Sequence, residues 1–367
     1  MEINRIPHPT DTVQVGIADF GYFYVGGEYV ETSGGTVRSG AMYVEYFRAA
    51  DRTSDLPVVM VHGNWQTGNN FTGTPDGRRG WAHDFLRAGY DVYVIDQAGR
   101  GRSGNSGGLH GQRLGKPVGF VTARFTSPAT DPKWPQAAHH TQWPGSGQPG
   151  DPVFDRHYAS QVESLTDRTR TEELNLAANL ALTREIGPAI WLTHSQSGPF
   201  GIALASAAPD KVVALLSIEP GSPPFFEVNF SGGDDWWSYA DHAIRPWGPC
   251  AAPLAFEPPV NGPEDLEIRL QPVPDSDAVV PCYLQAEPAR QLPHMADLKM
   301  AIVVGEASYH APYDHCTAAF LHQAGVPAEL IRLEEVGIRG NGHMMMIEQN
   351  NHEIADFLLA WLKGKGL

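Results

Sequence analysis

Short runs of apolar residues recur along the chain, and stretches with helical periodicity separate them. An unbroken apolar run indicates a strand that is buried on both faces, as in a parallel sheet covered by helices. The predicted strands cover residues 56–61, 90–95, 189–193, 211–218, 299–305 and 329–333. The predicted helices cover residues 81–88, 168–185, 200–208, 317–324 and 347–362. Residues 13–50 alternate instead, so 21–27 and 41–47 are expected to be antiparallel strands at the start of the sheet.

Two long segments lack such periodicity. Residues 104–160 are rich in Gly, Pro, His and Trp, and residues 222–297 combine aromatic side chains with many prolines. Loops of this length are uncommon inside a compact domain unless they form lids over a site. We therefore predict two lid insertions, which divide the core into residues 1–103, 161–221 and 298–367. The residues of the second lid that are expected to contact substrate are Phe225, Trp236 and Trp237.

The strand at 189–193 leads into His194-Ser195-Gln196-Ser197-Gly198, and a helix is predicted directly afterwards. A strand, a sharp turn and a helix form the context of a nucleophile elbow, which lifts a serine hydroxyl off the sheet. The helix N-terminus favours negative charge that develops there. The usual Gly-x-Ser-x-Gly pattern is absent, because Thr193 and Ser197 occupy the glycine positions. Ser195 is the expected nucleophile, with Ser197 as its rival and a helix cap without chemistry as the other interpretation.

A serine nucleophile needs a base, and the base needs a third group that fixes its tautomer. In an open α/β sheet these groups are expected at the carboxyl ends of strands. His343 follows the last predicted strand in a glycine-rich loop and is the expected base. Two acids are candidates. Glu219 ends the strand after the elbow and is preferred, whereas Asp314 lies beyond strand 299–305, where Ser308 stands at the place commonly taken by an aspartate.

An acyl-transfer site also needs backbone donors for the oxyanion. One expected donor is the N–H of Gln196, directly after the nucleophile. The other is the N–H of Asn64, in the turn that follows His62-Gly63 at a predicted strand end. Trp65 in the same turn is expected to form a wall of the substrate pocket.

Composition narrows the function further. The 367 residues carry 26 basic and 42 acidic side chains, and the resulting net charge of −16 disfavours nucleic acid and anionic membranes as partners. No apolar run approaches the ~20 residues of a membrane span. The first residues lack the features of a signal peptide, so a cytoplasmic protein is expected, or a secreted or periplasmic one if a signal peptide has been removed.

Neither a metal nor a cofactor is expected. The three cysteines, Cys250, Cys282 and Cys316, cannot all pair within one chain, and their spacing matches no zinc pattern. His139-His140 lacks partners at ligand spacing, and Gly99-x-Gly101 is too short for a dinucleotide fingerprint. The expected partner is a small-molecule substrate, and a homodimer is left open.

Together these motifs resemble the α/β-hydrolase superfamily, from about Pro57 to the C-terminus without the lids. The resemblance rests on His62-Gly63, Asp96 through Ser103, the elbow and Gly342-His343. More narrowly, the chain is similar to a small family of atypical bacterial esterases with a His-Ser-Gln-Ser-Gly elbow and a glutamate acid after the sixth strand. The segments that carry this likeness are 74–78, 80–81, 218–221 and 340–346. The resemblance implies an α/β-hydrolase fold and the triad Ser195, His343 and Glu219.

The predicted function is that of a serine carboxylester hydrolase that acts on an apolar or aromatic ester or lactone through an acyl-enzyme. A lactonase, an acyltransferase or a carbon–carbon bond hydrolase would use the same triad. A ligand-binding protein on the same scaffold is the remaining hypothesis, and the presence of all three triad residues speaks against it.

Overall fold

A computed structural model describes residues 15–104 and 108–367. Residues 1–14, on which the signal-peptide interpretation rests, and residues 105–107 of the first predicted insertion lie outside the described residues. Within the described ranges, no helix combines the length and the apolar character that a bilayer crossing requires.

The core is one eight-stranded sheet with the order β1-β2-β4-β3-β5-β6-β7-β8. The strands are β1 Ile17–Thr32, β2 Gly35–Ala49, β3 Val58–Val61, β4 Val92–Asp96, β5 Ala189–His194, β6 Val212–Ile218, β7 Lys299–Val304 and β8 Ala328–Arg332. β1 and β2 form a long antiparallel hairpin, β2 pairs antiparallel with β4, and the other neighbours are parallel. The predicted mostly parallel sheet is therefore confirmed, and the carboxyl ends of β3 to β8 share one edge.

Alternate residues of the central strands enter separate cores, because successive side chains of a strand point to opposite faces. The helices are α1 Asn69–Thr72, α2 Trp81–Arg87, α3 Val118–Val121, α4 Pro152–Ala159, α5 Arg168–Ile186, α6 Gly198–Ala207, α7 Asp314–Gln323 and α8 Asn351–Gly364. Val59 of β3 packs with α5 and α6 on one face, whereas Met60 packs with α2 and α8 on the other. Both faces of the sheet are covered, as the unbroken apolar strands predicted.

The closing helix begins later than predicted. Residues 347–350 form turns, and α8 starts only at Asn351. The apolar residues 344–347 satisfy a helical pattern, but they are fully buried in the turns that follow His343. Tertiary packing thus overrides the local pattern at the point where the loop folds back over the sheet.

The two predicted insertions contain short elements and pack against each other. The second one holds two antiparallel ribbons, Val228–Phe230 with Trp237–Tyr239 and Ile268–Leu270 with Tyr283–Gln285. Trp134 of the first insertion shares a cluster with Trp236 of the second. A disulfide between Cys282 and Cys316, whose Cα atoms are 5.1 Å apart, joins the second insertion to α7. The division of the chain into these five segments stays a prediction.

Candidate active site

Ser195 occupies a sharp turn between β5 and α6. Its φ of 56° lies in the left-handed region that side chains with a Cβ rarely adopt. The turn is possible because small residues surround it. A Cβ at Gly63 would lie 2.9 Å from the Ser195 Cβ, and one at Gly198 would lie 2.3 Å from the Cβ of Pro220. Gly198 therefore allows the close packing at the elbow, although it stands one place beyond the position that the usual motif gives to glycine.

Four non-glycine residues among those described have a positive φ, namely Trp65, Ser195, Glu219 and Phe225. Such conformations cost about 1–3 kcal/mol each and persist only where the surrounding structure holds them. Trp65 and Ser195 line one cavity and Glu219 contacts His343, whereas Phe225 does not line that cavity. Backbone strain therefore coincides with the candidate site at three of these four residues.

Ser197 has a structural environment. Its side chain is fully buried, and its hydroxyl accepts a 2.8 Å hydrogen bond from the His194 N–H. The Val61 carbonyl lies 2.7 Å from the same hydroxyl oxygen, which ties the elbow to the end of β3. A hydroxyl that is held by the backbone and closed off from the cavity is poorly placed for attack, so the geometry favours Ser195 over Ser197.

Glu219 and His343 form a buried pair. The Nδ1 of His343 lies 2.5 Å from Oε2 of Glu219, although the two residues are 124 positions apart. Ser308 Oγ donates to the same oxygen at 2.7 Å, and the Gly305 N–H donates to Oε1 at 2.8 Å. Ser308, which stands at the place commonly taken by an aspartate, thus donates a hydrogen bond to Glu219, which follows the neighbouring strand.

Burial acts on both members of this pair. It raises the pKa of the Glu219 carboxyl, with Asp314 adding to the rise, while the donors Ser308 and Gly305 act in the opposite direction. Burial also lowers the pKa of His343 well below its usual value, because the protonated ring is poorly solvated. The arrangement therefore holds a neutral imidazole with its Nδ1–H directed at Glu219 and its Nε2 left as an acceptor.

Tyr309 lies at the other side of the imidazole. Its hydroxyl is 3.2 Å from His343 Nε2. With a proton on Nδ1, Nε2 accepts from the phenol. Burial raises the pKa of Tyr309, so the phenol stays neutral, and the nearby Ser195 hydroxyl acts on that pKa in the opposite direction. Tyrosine, histidine and glutamate form one connected chain beside Ser195, and its tyrosine was missed in the sequence because nothing local marks it.

Asp314, the rival acid, belongs to a different pair. Its Oδ1 lies 2.9 Å from Nδ1 of His310. The His310 ring stacks on the His343 ring with the centroids 4.8 Å apart and 8° between the planes. Asp314 therefore reaches the site only through a neighbouring ring, whereas Glu219 contacts His343 directly.

Glu348 anchors the loop that carries His343. Its carboxylate accepts from the Gly342 N–H at 3.0 Å and from Nδ2 of Asn341 at 2.8 Å. His140 of the first insertion lies 2.7 Å from the same carboxylate. His194 holds the loop from the sheet side, because its Nε2 donates to the His343 carbonyl at 3.0 Å. Burial lowers the pKa of His194 to about 3, which keeps it neutral.

The two expected oxyanion donors belong to residues that both line the cavity beside Ser195. Arg100 connects their side chains, since its Nη2 is 3.0 Å from Oε1 of Gln196 and 3.5 Å from Oδ1 of Asn64. Its Nη1 donates to the Gly63 carbonyl at 2.9 Å. Arg100 is buried, and its burial lowers its pKa to about 9. This arginine follows β4, and no local pattern indicates that it would reach the turn after β3.

A cavity of about 280 Å³ opens above Ser195. Its walls include Trp65, as predicted, together with Phe120 and Tyr309. Phe225, Trp236 and Trp237, all within the described part of the chain, do not line this cavity. Their rings pack elsewhere, on Phe320, Phe230 and Tyr239 respectively. Aromatic content alone could not distinguish a packed insertion from a substrate wall.

One cluster in this region has the residue types of a metal site. The ligand atoms of Glu219, His310 and His343 lie within 4.8 Å of one another. Glu219 and His343 are already bonded to each other, and His310 directs its Nδ1 at Asp314. A metal would have to replace the hydrogen bonds that hold the imidazole, so these residues fit a proton-transfer chain better than a ligand set.

Comparisons with known proteins bear on the family and the fold of the chain. No family model matches the chain. The chain is 42% identical over 344 residues to the probable secreted lipase phiG of a fungal species (strain ATCC 74256), across 93% of this chain and 89% of the relative. A solved structure described as that of a novel bacterial esterase shares the fold, with a TM-score of 0.63, 23% identity and coverage of 96% of this chain and 97% of that one.

The structural likeness concerns the fold alone, and it confirms the predicted fold class. The sequence identity extends over nearly the whole chain and thus shows common descent. The likeness of the elbow itself to that of the atypical esterases stays a prediction. The chain has the α/β-hydrolase fold and belongs to the family of the probable secreted lipase phiG.

Proposed function

We propose that the protein is a serine carboxylester hydrolase that works through an acyl-enzyme. Ser195 is the nucleophile, His343 the general base and acid, and Glu219 the group that fixes the imidazole. The backbone N–H groups of Asn64 and Gln196 are the proposed oxyanion donors. The contact that supports this most strongly is the 2.5 Å hydrogen bond between Glu219 and Nδ1 of His343. The other ring nitrogen of His343 faces the hydroxyl of Tyr309, which lines the same cavity as Ser195.

The reaction follows from these positions. His343 Nε2 takes the hydroxyl proton while Ser195 Oγ bonds to the ester carbonyl carbon, and the carbonyl oxygen becomes an oxyanion. The intermediate collapses as the bond to the alcohol oxygen breaks, and His343 returns its proton to that oxygen. Water then attacks the acyl-enzyme with the same base, which releases the acid and restores Ser195.

Tyr309 occupies the space between nucleophile and base in the free protein. Catalytic hydrogen bonds of free enzymes are often misaligned and tighten only when substrate is bound. We propose that bound substrate brings Ser195 Oγ directly to His343 Nε2 and that the phenol then turns aside. The raised pKa of Tyr309 supports this, because a phenol that resists ionisation is a poor intermediate carrier of the proton.

Covalent labelling tests the proposal. A fluorophosphonate probe should label the protein at Ser195, and Ser195→Ala should lose both the label and the hydrolysis of a panel of short-chain 4-nitrophenyl esters. Ser197→Ala is the matched control. It should still be labelled, although it should be less stable by about 1 kcal/mol because it loses buried hydrogen bonds. Full ester hydrolysis by Ser195→Ala, or labelling that depends on Ser197, would contradict the assignment.

We further propose that the protein works in an oxidising compartment. The disulfide between Cys282 and Cys316 supports this, because disulfides persist mainly outside the reducing cytosol. The relative that covers nearly the whole chain is named a secreted lipase. The secreted alternative of the sequence analysis is therefore favoured over the cytoplasmic one. Its test is the thiol count of protein isolated from the native source without reductant, where one free thiol, that of Cys250, is expected.

A further inference from the structure

The cavity above Ser195 is basic, although the protein as a whole is acidic. Four basic side chains and two acidic ones line it, whereas the whole chain has 26 basic and 42 acidic residues. The basic residues are Lys116, Arg124, Arg168 and Arg245, and the acidic ones are Glu172 and Glu227. A cleft lined by an excess of one charge concentrates ligands of the opposite charge.

Arg245 has an incompletely satisfied guanidinium. Its side chain is only 6% exposed, and its Nε and Nη1 are buried without a hydrogen-bond partner among the described residues. Oε1 of Glu172 lies 3.9 Å from Nε, which is beyond hydrogen-bonding distance. The other oxygen of Glu172 accepts from the N–H groups of Ala251 and Ala252. A buried charge without a full set of hydrogen bonds is unfavourable, and Arg245 lines the cavity, so the negative charge of a bound anion would stabilise it.

This guanidinium lies close to the nucleophile. The Gly221 N–H donates to the Ser195 carbonyl at 2.8 Å. A Cβ at Gly221 would lie 2.9 Å from Nη2 of Arg245. One residue thus separates the backbone of the elbow from the arginine.

Arg168 is a second incompletely paired arginine that lines the same cavity. Its Nη2 donates to Oε2 of Glu227 at 2.8 Å, while its Nη1 is buried without a partner among the described residues. It lies on the first turn of α5, and its side chain is 39% exposed, so it can adjust to a ligand.

Two cationic side chains of the cavity lie over aromatic rings of its walls. The Lys116 ammonium lies 4.8 Å from the Trp65 ring, and the Arg124 guanidinium lies 5.0 Å from the Tyr309 ring. These contacts hold positive charge beside the apolar surface, so the cavity combines apolar walls with a cationic lining. An apolar or aromatic substrate is predicted from the sequence, and the described cavity fits only part of that description.

We propose that this cavity recognises a small ester that bears an oxyanion, a carboxylate or a phosphate, apart from the scissile bond, with Arg245 and Arg168 as specificity-determining residues. The proposal rests on the proposed esterase function and names its substrate class. The cavity of about 280 Å³ is close to the lower end of the range of about 300–1,000 Å³ that is typical of small-molecule sites, so its size matches a small substrate.

Matched substrates test the proposal. The anionic probe is 4-nitrophenyl hydrogen adipate, and its neutral counterpart is 4-nitrophenyl methyl adipate. A 4-nitrophenyl ester with a terminal phosphonate in place of the carboxylate separates the two kinds of oxyanion. A further pair, 4-carboxyphenyl hexanoate and its methyl ester, places the anion on the alcohol side. We expect one of the anionic esters to exceed its neutral counterpart in kcat/KM by about 10- to 100-fold, as charge-assisted hydrogen bonds imply.

Variants assign the preference to its residues. Arg245→Met should lower the ratio of kcat/KM for the preferred anionic ester to that for its neutral counterpart at least tenfold, whereas Arg245→Lys should retain part of the preference. Arg168→Met should reduce the preference without unfolding the protein, because this side chain is partly exposed. Arg170→Met is the matched control, since Arg170 lies on the same helix and does not line the cavity within the described part of the chain.

The outcomes are distinct. A preference for an anionic ester that falls in the Arg245 and Arg168 variants and persists in Arg170→Met supports the proposal. Equal or faster hydrolysis of the neutral esters by the wild-type protein, with Ser195 still labelled, overturns the substrate class and leaves the esterase intact. Absence of both hydrolysis and labelling overturns the esterase and the substrate class together. If Arg245→Met does not fold, Arg168→Met and competitive inhibition of the wild-type protein by adipate or phosphate give the answer.

Discussion

Glu219→Gln tests the proposed acid with almost no change of shape. The carboxylate now accepts the Gly305 N–H on Oε1, and the Ser308 hydroxyl and His343 Nδ1–H on Oε2. An amide has one acceptor oxygen, so it cannot satisfy both sides. If the amide oxygen points toward His343, the amide NH₂ faces the Gly305 N–H. Buried donors are then left unpaired, which costs about 1–3 kcal/mol of stability. With its oxygen toward Gly305, the NH₂ requires Nδ1 as an acceptor and moves the ring proton to Nε2.

The second orientation removes the base, because Nε2 can no longer take a proton from Ser195. In both orientations the imidazolium of the transition state loses its negative partner. We therefore expect kcat/KM to fall by about 10³- to 10⁴-fold, the loss seen when a triad carboxylate becomes an amide, or about 4–5.5 kcal/mol in the barrier. The assay is initial-rate hydrolysis of a 4-nitrophenyl ester, with thermal unfolding as the check that the variant is folded.

Asp314→Asn is the matched control, because Asp314 is the other acid that the sequence allowed. Its carboxylate faces His310 rather than His343, so we expect kcat/KM to stay within about fivefold, the loss of roughly one neutral hydrogen bond. Retention of more than a tenth of the wild-type kcat/KM by folded Glu219→Gln would refute the reasoning. So would a loss of three orders of magnitude in Asp314→Asn with Glu219→Gln unaffected.

Three further predictions follow from the same contacts. Tyr309→Phe frees His343 Nε2 for Ser195, so kcat/KM should stay within about tenfold, whereas a loss beyond 10³-fold would show that the phenol carries the proton. Because burial lowers the pKa of His343, its ring stays neutral and able to act as a base as the pH falls through 6.5. The acid limb of the pH profile of kcat/KM should therefore have its midpoint below 6.5, and a midpoint at or above 6.5 would contradict this prediction. Cys282→Ser opens the link to Cys316 across a separation of 34 residues and should lower the free energy of unfolding by about 3–4 kcal/mol; denaturant titration with and without dithiothreitol checks this, since reductant should destabilise only the wild-type protein.

The sequence by itself determined the layout of the core. Unbroken apolar runs require burial on both faces, and this follows from the period of a strand without reference to distant residues. Val59 and Met60 show the result, because they enter opposite cores. Parallel strands share one carboxyl edge, so the placement of Ser195, Glu219 and His343 just after predicted strands was enough to propose that they meet.

The same reasoning fails where local pattern and packing compete. Residues 347–350 satisfy a helical pattern, yet they form turns, because the preceding segment is buried behind the His343 loop. The aromatic residues Trp236 and Trp237 resemble a substrate wall in composition, yet they pack within the insertions. In both cases a three-dimensional neighbour, absent from the local sequence, decides the outcome.

Only the tertiary structure distinguished the rival residues. Ser195 and Ser197 are two positions apart in the chain. The difference between them is that the Ser197 hydroxyl donates a hydrogen bond to a backbone carbonyl of β3. Glu219 and Asp314 are both acids near strand ends. In the folded protein Glu219 is hydrogen-bonded to His343, whereas Asp314 is hydrogen-bonded to His310. Contacts of this kind join residues that are distant in the chain, so no local signal could encode them.

The residues that support the site were also identified only from the tertiary structure. Arg100 bridges the two turns that carry the proposed oxyanion donors, Glu348 anchors the His343 loop, and Arg245 contributes to the positive charge of the cavity. Each acts through hydrogen bonds or burial that exist only after three or more segments have come together. The sequence fixes which chemistry can assemble at the edge of the sheet, because strand ends are a local property. The tertiary structure decides which side chains complete it, because the energy of a buried polar group depends on its neighbours in space.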